Sequence, residues 1–167
     1  MNNSVTRTSV LFVCTGNICR SPIAEGVFRA FVQRAGLLDR VTIDSAGTGD
    51  SQVGQPTDPR AFAAASKRGY LLPNRRARQV GEGDFQRFEW ILAMDRGNLR
   101  ELESLRPFSY PGHLGLLLGL TGTAALSEVP DPYFGGSQEF DRVIDLVERG
   151  AEGLLAAIRK TVARGSV

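Results

Sequence analysis

The 167-residue chain carries 42% hydrophobic and 23% charged residues and a formal charge of +2. That is the balance of one folded domain with a real core, and no dense Lys/Arg stripe with interleaved aromatics marks a nucleic-acid partner. Two cysteines and one histidine exclude a disulfide framework and an ordinary zinc site, and they point to a reducing, cytoplasmic setting.

Residues 1–7 are expected to form a flexible N-terminus, 8–163 a single domain and 164–167 a frayed C-terminus. The polar start and the short apolar run after it are not those of a signal peptide. Leu114 to Leu120 is broken by Gly115 and Gly119 and is far shorter than the roughly 20 apolar residues that span a bilayer, so no membrane association is expected.

Ser9 to Val13 reads as a buried parallel strand. Cys14 to Arg20 is then a loop, and Ser21-Pro22 reads as N-cap and first helical position. Ile23, Val27, Phe28 and Phe31 recur at helical spacing, and Gly36 marks a stop. Val41 to Ser45 predicts a second strand and Gly47 to Ser51 a loop. Asp58-Pro59 predicts a cap followed by a short helix ending at Gly69. Arg75 to Glu82 reads as irregular, with Arg75-Arg76-Ala77-Arg78 as a solvated basic face. Phe88 to Met94 predicts a third strand, and Asp95 caps the helix after it. A fourth strand is expected within 107–118. Val129 to Gly136 is irregular, and Ser137 starts a last helix with Phe140, Val143, Ile144, Val147, Leu154, Leu155 and Ile158 on one face. This alternation predicts an α/β fold, a parallel sheet covered on both faces.

Ligands of such sheets bind beyond the carboxyl ends of the strands, where the 14–20 loop falls. Its amides and the helix start form an anion nest. Gly16 is expected to hold a backbone conformation closed to residues with a Cβ, and Asn17 tolerates positive φ. Arg20 offers two phosphate oxygens a planar fork. Helix N-termini and nearby cations favour a thiolate, so Cys14 is the candidate nucleophile, with the Ser21 hydroxyl as its hydrogen-bond donor. Alone, Cys14 would read as an inert buried thiol. A leaving oxygen needs a proton, and Asp131 between Pro130 and Pro132 is the candidate acid; its plain alternative is a turn residue. Cys19 reads equally as a packing residue.

Cys14-Thr15-Gly16-Asn17-Ile18-Cys19-Arg20-Ser21-Pro22 together with Asp131-Pro132-Tyr133 resembles the low-molecular-weight protein tyrosine phosphatase family. Asp44-Ser45-Ala46-Gly47-Thr48, Ala77-Arg78-Gln79 and Ile91-Leu92-Ala93-Met94-Asp95 follow in the family's order, so the likeness covers nearly the whole chain. The resemblance implies a four-stranded twisted parallel sheet, no cofactor and no metal. It implies a phosphocysteine intermediate on Cys14. Phosphate would be held by Arg20 and by the loop from Thr15 through Gly16, Asn17, Ile18 and Cys19. Asp131 would act as acid and base. Cys19 resembles the second cysteine that closes a reversible disulfide onto the nucleophile, which protects it from over-oxidation.

Ile18 stands where the family's phosphoarginine phosphatases carry Thr, which favours an aryl ester. Tyr133 and Phe134 would wall the cleft. Ser51 stands where many relatives carry Trp or Tyr, so one aromatic wall is missing. The implied partners are phosphotyrosine proteins, a bacterial tyrosine kinase among them, acted on by a monomer. Three rivals share these residues: a thiol-dependent arsenate reductase, a phosphoarginine phosphatase, and a non-catalytic phosphotyrosine-binding module.

Overall fold

The computed structural model describes residues 7–164. Four parallel strands, β1 (Thr8–Cys14), β2 (Val41–Gly47), β3 (Trp90–Ala93) and β4 (His113–Leu116), form one sheet in the order β2-β1-β3-β4. The connecting helices are α1 (Arg20–Arg34), α2 (Pro59–Lys67), α3 (Asp84–Arg87), α4 (Arg96–Leu105) and α5 (Ser137–Arg164).

β1 is central, and both its faces are covered. Val10 and Phe12 join the core built with Ile23, Val27 and Phe28 of α1 and Phe140, Val143, Ile144 and Leu154 of α5. Leu11 and Val13 face the other way, onto Phe85 and Leu102. This explains why β1 reads as an unbroken apolar run rather than an alternation. Each such side chain, fully buried, contributes about 1.5–3 kcal/mol. Phe12 and Phe28 meet edge to face, with centroids 5.7 Å apart. Gly36, at φ +71°, ends α1 in the left-handed conformation that suits glycine.

Several expectations are corrected. α1 begins at Arg20, with Cys19 in the cap position and no side-chain cap, so Ser21 lies inside the first turn. Its hydroxyl is thereby free for the site. β2 runs on to Gly47, and β3 is shorter than the 88–94 span, starting at Trp90. The single turn α3 had no periodic signal because it is only four residues long. α5 runs through Arg164; residues 1–6 and 165–167 of the two terminal expectations lie outside the described residues.

The basic cluster is exposed at Arg75 and Arg76, as expected, but its side chains are also paired. Arg75 pairs with the fully buried Glu25 and with Asp44, and Arg78 pairs with Asp44 and Asp84. Arg76 donates to the Gly54 carbonyl. The sequence signal, three arginines in four positions, does not reveal the carboxylates that other elements bring to them.

Candidate active site

In the order β2-β1-β3-β4 the chain winds outward in opposite directions from β1 and β3, so the crevice opens where these two strands end. The 14–20 loop leaves β1 there, and Asp95 leaves β3. A cavity of about 150 Å3 sits at this point, floored by Cys14, Thr15, Gly16 and Ile18 and walled by Ser51, Gln52, Asp131 and Tyr133, with Cys19 and Arg20 also facing it. Larger hollows of about 560 and 720 Å3 open elsewhere, the first near the opposite ends of β3 and β4 beside Trp90 and His113. Neither holds a cysteine, so size alone does not mark the site.

The loop is braced from three sides. The Thr48 and Gly49 amides donate to the Cys14 and Thr15 carbonyls at 2.8 and 3.0 Å. A Cβ at Gly47 would lie 2.4 Å from the Thr15 carbonyl oxygen, so only glycine lets β2 pass this close. Asn17 has φ +57° and buries its amide side chain. Its Nδ2 donates to Ser21 Oγ at 2.9 Å and Ser45 Oγ at 3.0 Å, and its Oδ1 accepts from the Arg78 amide at 3.0 Å. Gly16 departs from expectation: its φ is not positive, and a Cβ there would meet the Gln52 side chain at 3.1 Å. A larger residue there would require the Gln52 side chain to shift by a few tenths of an ångström.

Cys14 Sγ lies 3.0 Å from Ser21 Oγ and accepts from the Asn17 amide at 3.3 Å. Ser21 Oγ also lies 3.3 Å from the Ala46 carbonyl and accepts from Asn17 Nδ2. With one hydrogen to give, Ser21 donates to Ala46 when Cys14 is a thiol and to sulfur when it is a thiolate. The hydroxyl therefore suits either protonation state.

Arg20 is almost wholly buried, 3% exposed in its side chain. Nη1 donates to Asp95 Oδ2 at 2.6 Å and to the Val129 carbonyl at 3.0 Å. Nη2 reaches Thr15 Oγ1 at 3.4 Å and stands 3.8 Å from Asp131 Oδ2. Asn98 Nδ2 also donates to Thr15 Oγ1, at 3.0 Å. Val129 is in turn fixed by donating its amide to the Met94 carbonyl at 2.8 Å. Asp131 is 54% exposed and accepts the Tyr133 amide through Oδ1 at 3.1 Å. Tyr133 lines the cavity, whereas Phe134 is 97% exposed with its ring edge-on to Tyr133, outside the lining.

Cys19 is a buried free thiol, as is Cys14. Burial first, and then the negative charge of Asp58, push its pKa up to about 12. It is therefore a neutral thiol at ordinary pH.

Sequence reasoning missed Asp95, Asn98, Ser45, Arg78, Gln52 and the Val129 carbonyl as parts of the site. Asp95 had a signal available, since it directly follows a strand at the crevice. The others are joined to the loop only by tertiary packing.

The chain matches the family model "Low molecular weight phosphotyrosine protein phosphatase" over residues 9–164. A low molecular weight protein-tyrosine-phosphatase of Streptomyces coelicolor is 45% identical over 92% of this chain and 94% of its own. The crystal structure of a protein tyrosine phosphatase from Entamoeba histolytica superposes with a TM-score of 0.88, at 38% identity over 92% of this chain and 98% of that one. A Drosophila arginine phosphatase also superposes, with a TM-score of 0.82 at 34% identity, covering 89% and 96% of the two chains. The chain belongs to the low molecular weight phosphotyrosine protein phosphatase family and is a phosphoric monoester hydrolase.

Proposed function

We propose that the protein hydrolyses phosphotyrosine in proteins through a phosphocysteine on Cys14. The observation that carries this reading is the convergence of Cys14, Arg20 and Asp131 on one small cavity, from chain segments far apart in sequence. The Cys14 thiolate attacks phosphorus, and the bond to the tyrosyl oxygen breaks. Asp131 gives that oxygen its proton. The loop amides and the Arg20 fork hold the three non-bridging oxygens, where a loose transition state carries its charge. Water, losing a proton to the Asp131 carboxylate, then displaces sulfur and releases inorganic phosphate and the thiolate.

Ile18 and Tyr133 give the cavity apolar surface for a flat ring, and Gln52 and Ser51 add polar lining. That arrangement supports an aryl ester over a guanidinium. The test is turnover side by side on a phosphotyrosine peptide, phosphoarginine, and arsenate with a thiol. Preference for phosphotyrosine, with loss of all turnover in Cys14→Ser, is expected. A preference for either other substrate overturns the assignment, and binding without turnover would indicate a recognition module.

A further inference from the structure

The segment that carries Asp131 is irregular: its start is tied to Met94 through the Val129 amide, and the Tyr133 amide donates to Asp131 within it. One side chain meets that segment from α2. The Arg60 guanidinium lies 5.4 Å from the Tyr133 ring centroid and 4.9 Å from that of Phe140, at the start of α5. Its Nη1 reaches the Gly135 carbonyl at 3.4 Å. Its edge is gripped by Asp58, through Nε to Oδ1 at 3.1 Å and Nη2 to Oδ2 at 2.8 Å.

Asp58 is itself fixed to the phosphate loop. Its amide donates to the Ile18 carbonyl at 2.9 Å, and its Oδ1 caps α2 through the Arg60 amide at 2.9 Å. Arg60 does not line the cavity. We propose that Arg60 is a positioning residue: held by Asp58 and stacked between Tyr133 and Phe140, it sets the Asp131 segment in register with the phosphate loop.

An exposed Arg–Asp pair is ordinarily worth little. This one differs because its partners come from three separate segments, two of which carry the nucleophile loop and the acid. The role calls for arginine. A planar fork grips a carboxylate with its edge while its faces stack on rings, which a lysine ammonium does not reproduce. A misplacement of about 1 Å at a reacting group is enough to slow an enzyme about a hundredfold.

The inference rests on the phosphatase reading above, and the experiment separates the two. kcat/KM is measured on p-nitrophenyl phosphate, whose leaving group departs without a proton, and on phenyl phosphate, whose leaving group needs one. For Arg60→Ala the loss on phenyl phosphate is expected to exceed the loss on p-nitrophenyl phosphate about tenfold. Vanadate inhibition should stay within about twofold of the unmutated protein, reporting an intact phosphate loop. Arg60→Lys should fall between the two. In a Tyr133→Leu background, adding Arg60→Ala should change the ester ratio less than it does in the unmutated protein, because part of the hold of Arg60 on the segment runs through Tyr133. Equal losses on both esters, or no loss, overturn the positioning role. Absence of turnover on either ester by the unmutated protein overturns the phosphatase reading instead, and the positioning role with it.

Discussion

Asp95 Oδ2 lies 2.6 Å from Arg20 Nη1, across the gap between the ends of β3 and β1, while Oδ1 of the same carboxylate caps α4 through the Asn98 amide at 2.8 Å. One side chain thus starts a helix and fixes the Arg20 guanidinium. Asp95→Asn keeps a good N-cap but removes the charge beside Arg20. It should leave thermal stability nearly unchanged while weakening vanadate binding and lowering kcat/KM about tenfold or more. Asp95→Ala loses both roles and should also cost about 1 kcal/mol in urea unfolding from the cap alone. Equal stability of the two variants would refute the division of labour.

Asn17 combines a left-handed backbone with three side-chain hydrogen bonds. Asn17→Gly loses the bonds and keeps an easy backbone. Asn17→Ala loses the bonds and adds strain of about 1–2 kcal/mol. Both should reduce turnover, with the alanine variant the less stable by about 1 kcal/mol. Denaturant titration of the two variants measures the difference directly, and identical midpoints would show that backbone strain plays no part.

Cys19 holds its proton more tightly in the folded protein, with a pKa of about 12 against an ordinary value of 9.0, chiefly through burial. The sign follows. Its contribution to stability is fully present below about pH 9 and declines as the pH rises from there to about 12. Cys19→Ala should therefore flatten the fall of melting temperature over that interval. Native protein at pH 8 should resist alkylation at Cys19 by iodoacetamide, read by peptide mass spectrometry, and ready labelling there would contradict the burial.

Glu25 is fully buried on α1 and is paired with Arg75 and, at 3.6 Å, with Arg29. Removing one partner of a buried pair strands the other charge, at a cost of about 3–5 kcal/mol when both are enclosed. Arg75 is partly exposed and Arg29 remains, so Arg75→Ala should cost about 2 kcal/mol, below that range. Arg76→Ala, which loses a single exposed carbonyl contact, should cost under about 0.5 kcal/mol. Equal effects would return the cluster to a plain solvated face.

What was legible in the sequence follows from how far each signal reaches along the chain. β1 and α1 announce themselves because an apolar run and a helical stripe are local patterns, and the cavity floor is contiguous from Cys14 to Arg20. Asp58-Pro59 and Asp95 were readable as helix starts for the same reason. The contacts that hold the loop were not readable. Arg78 reaches Asn17, and Val129 reaches Arg20, only after β2, β3 and the 129–136 segment have packed. Gly16 was misread because a glycine signals either backbone freedom or lack of room, and only the nearby Gln52 side chain distinguishes them. The arginines at 75, 76 and 78 look alike in sequence, yet each meets a different partner.

The Val129 carbonyl that receives Arg20 belongs to the last quarter of the chain, and it is held in place by β3. This set of contacts is therefore unfinished while the polypeptide is still emerging, even though the 14–20 loop is among the first parts made. A nascent chain that stops short of this carbonyl has the thiol and the Asp95 partner of Arg20, but neither the Val129 acceptor nor Asp131. Turnover is therefore expected to report the completed fold rather than the loop alone.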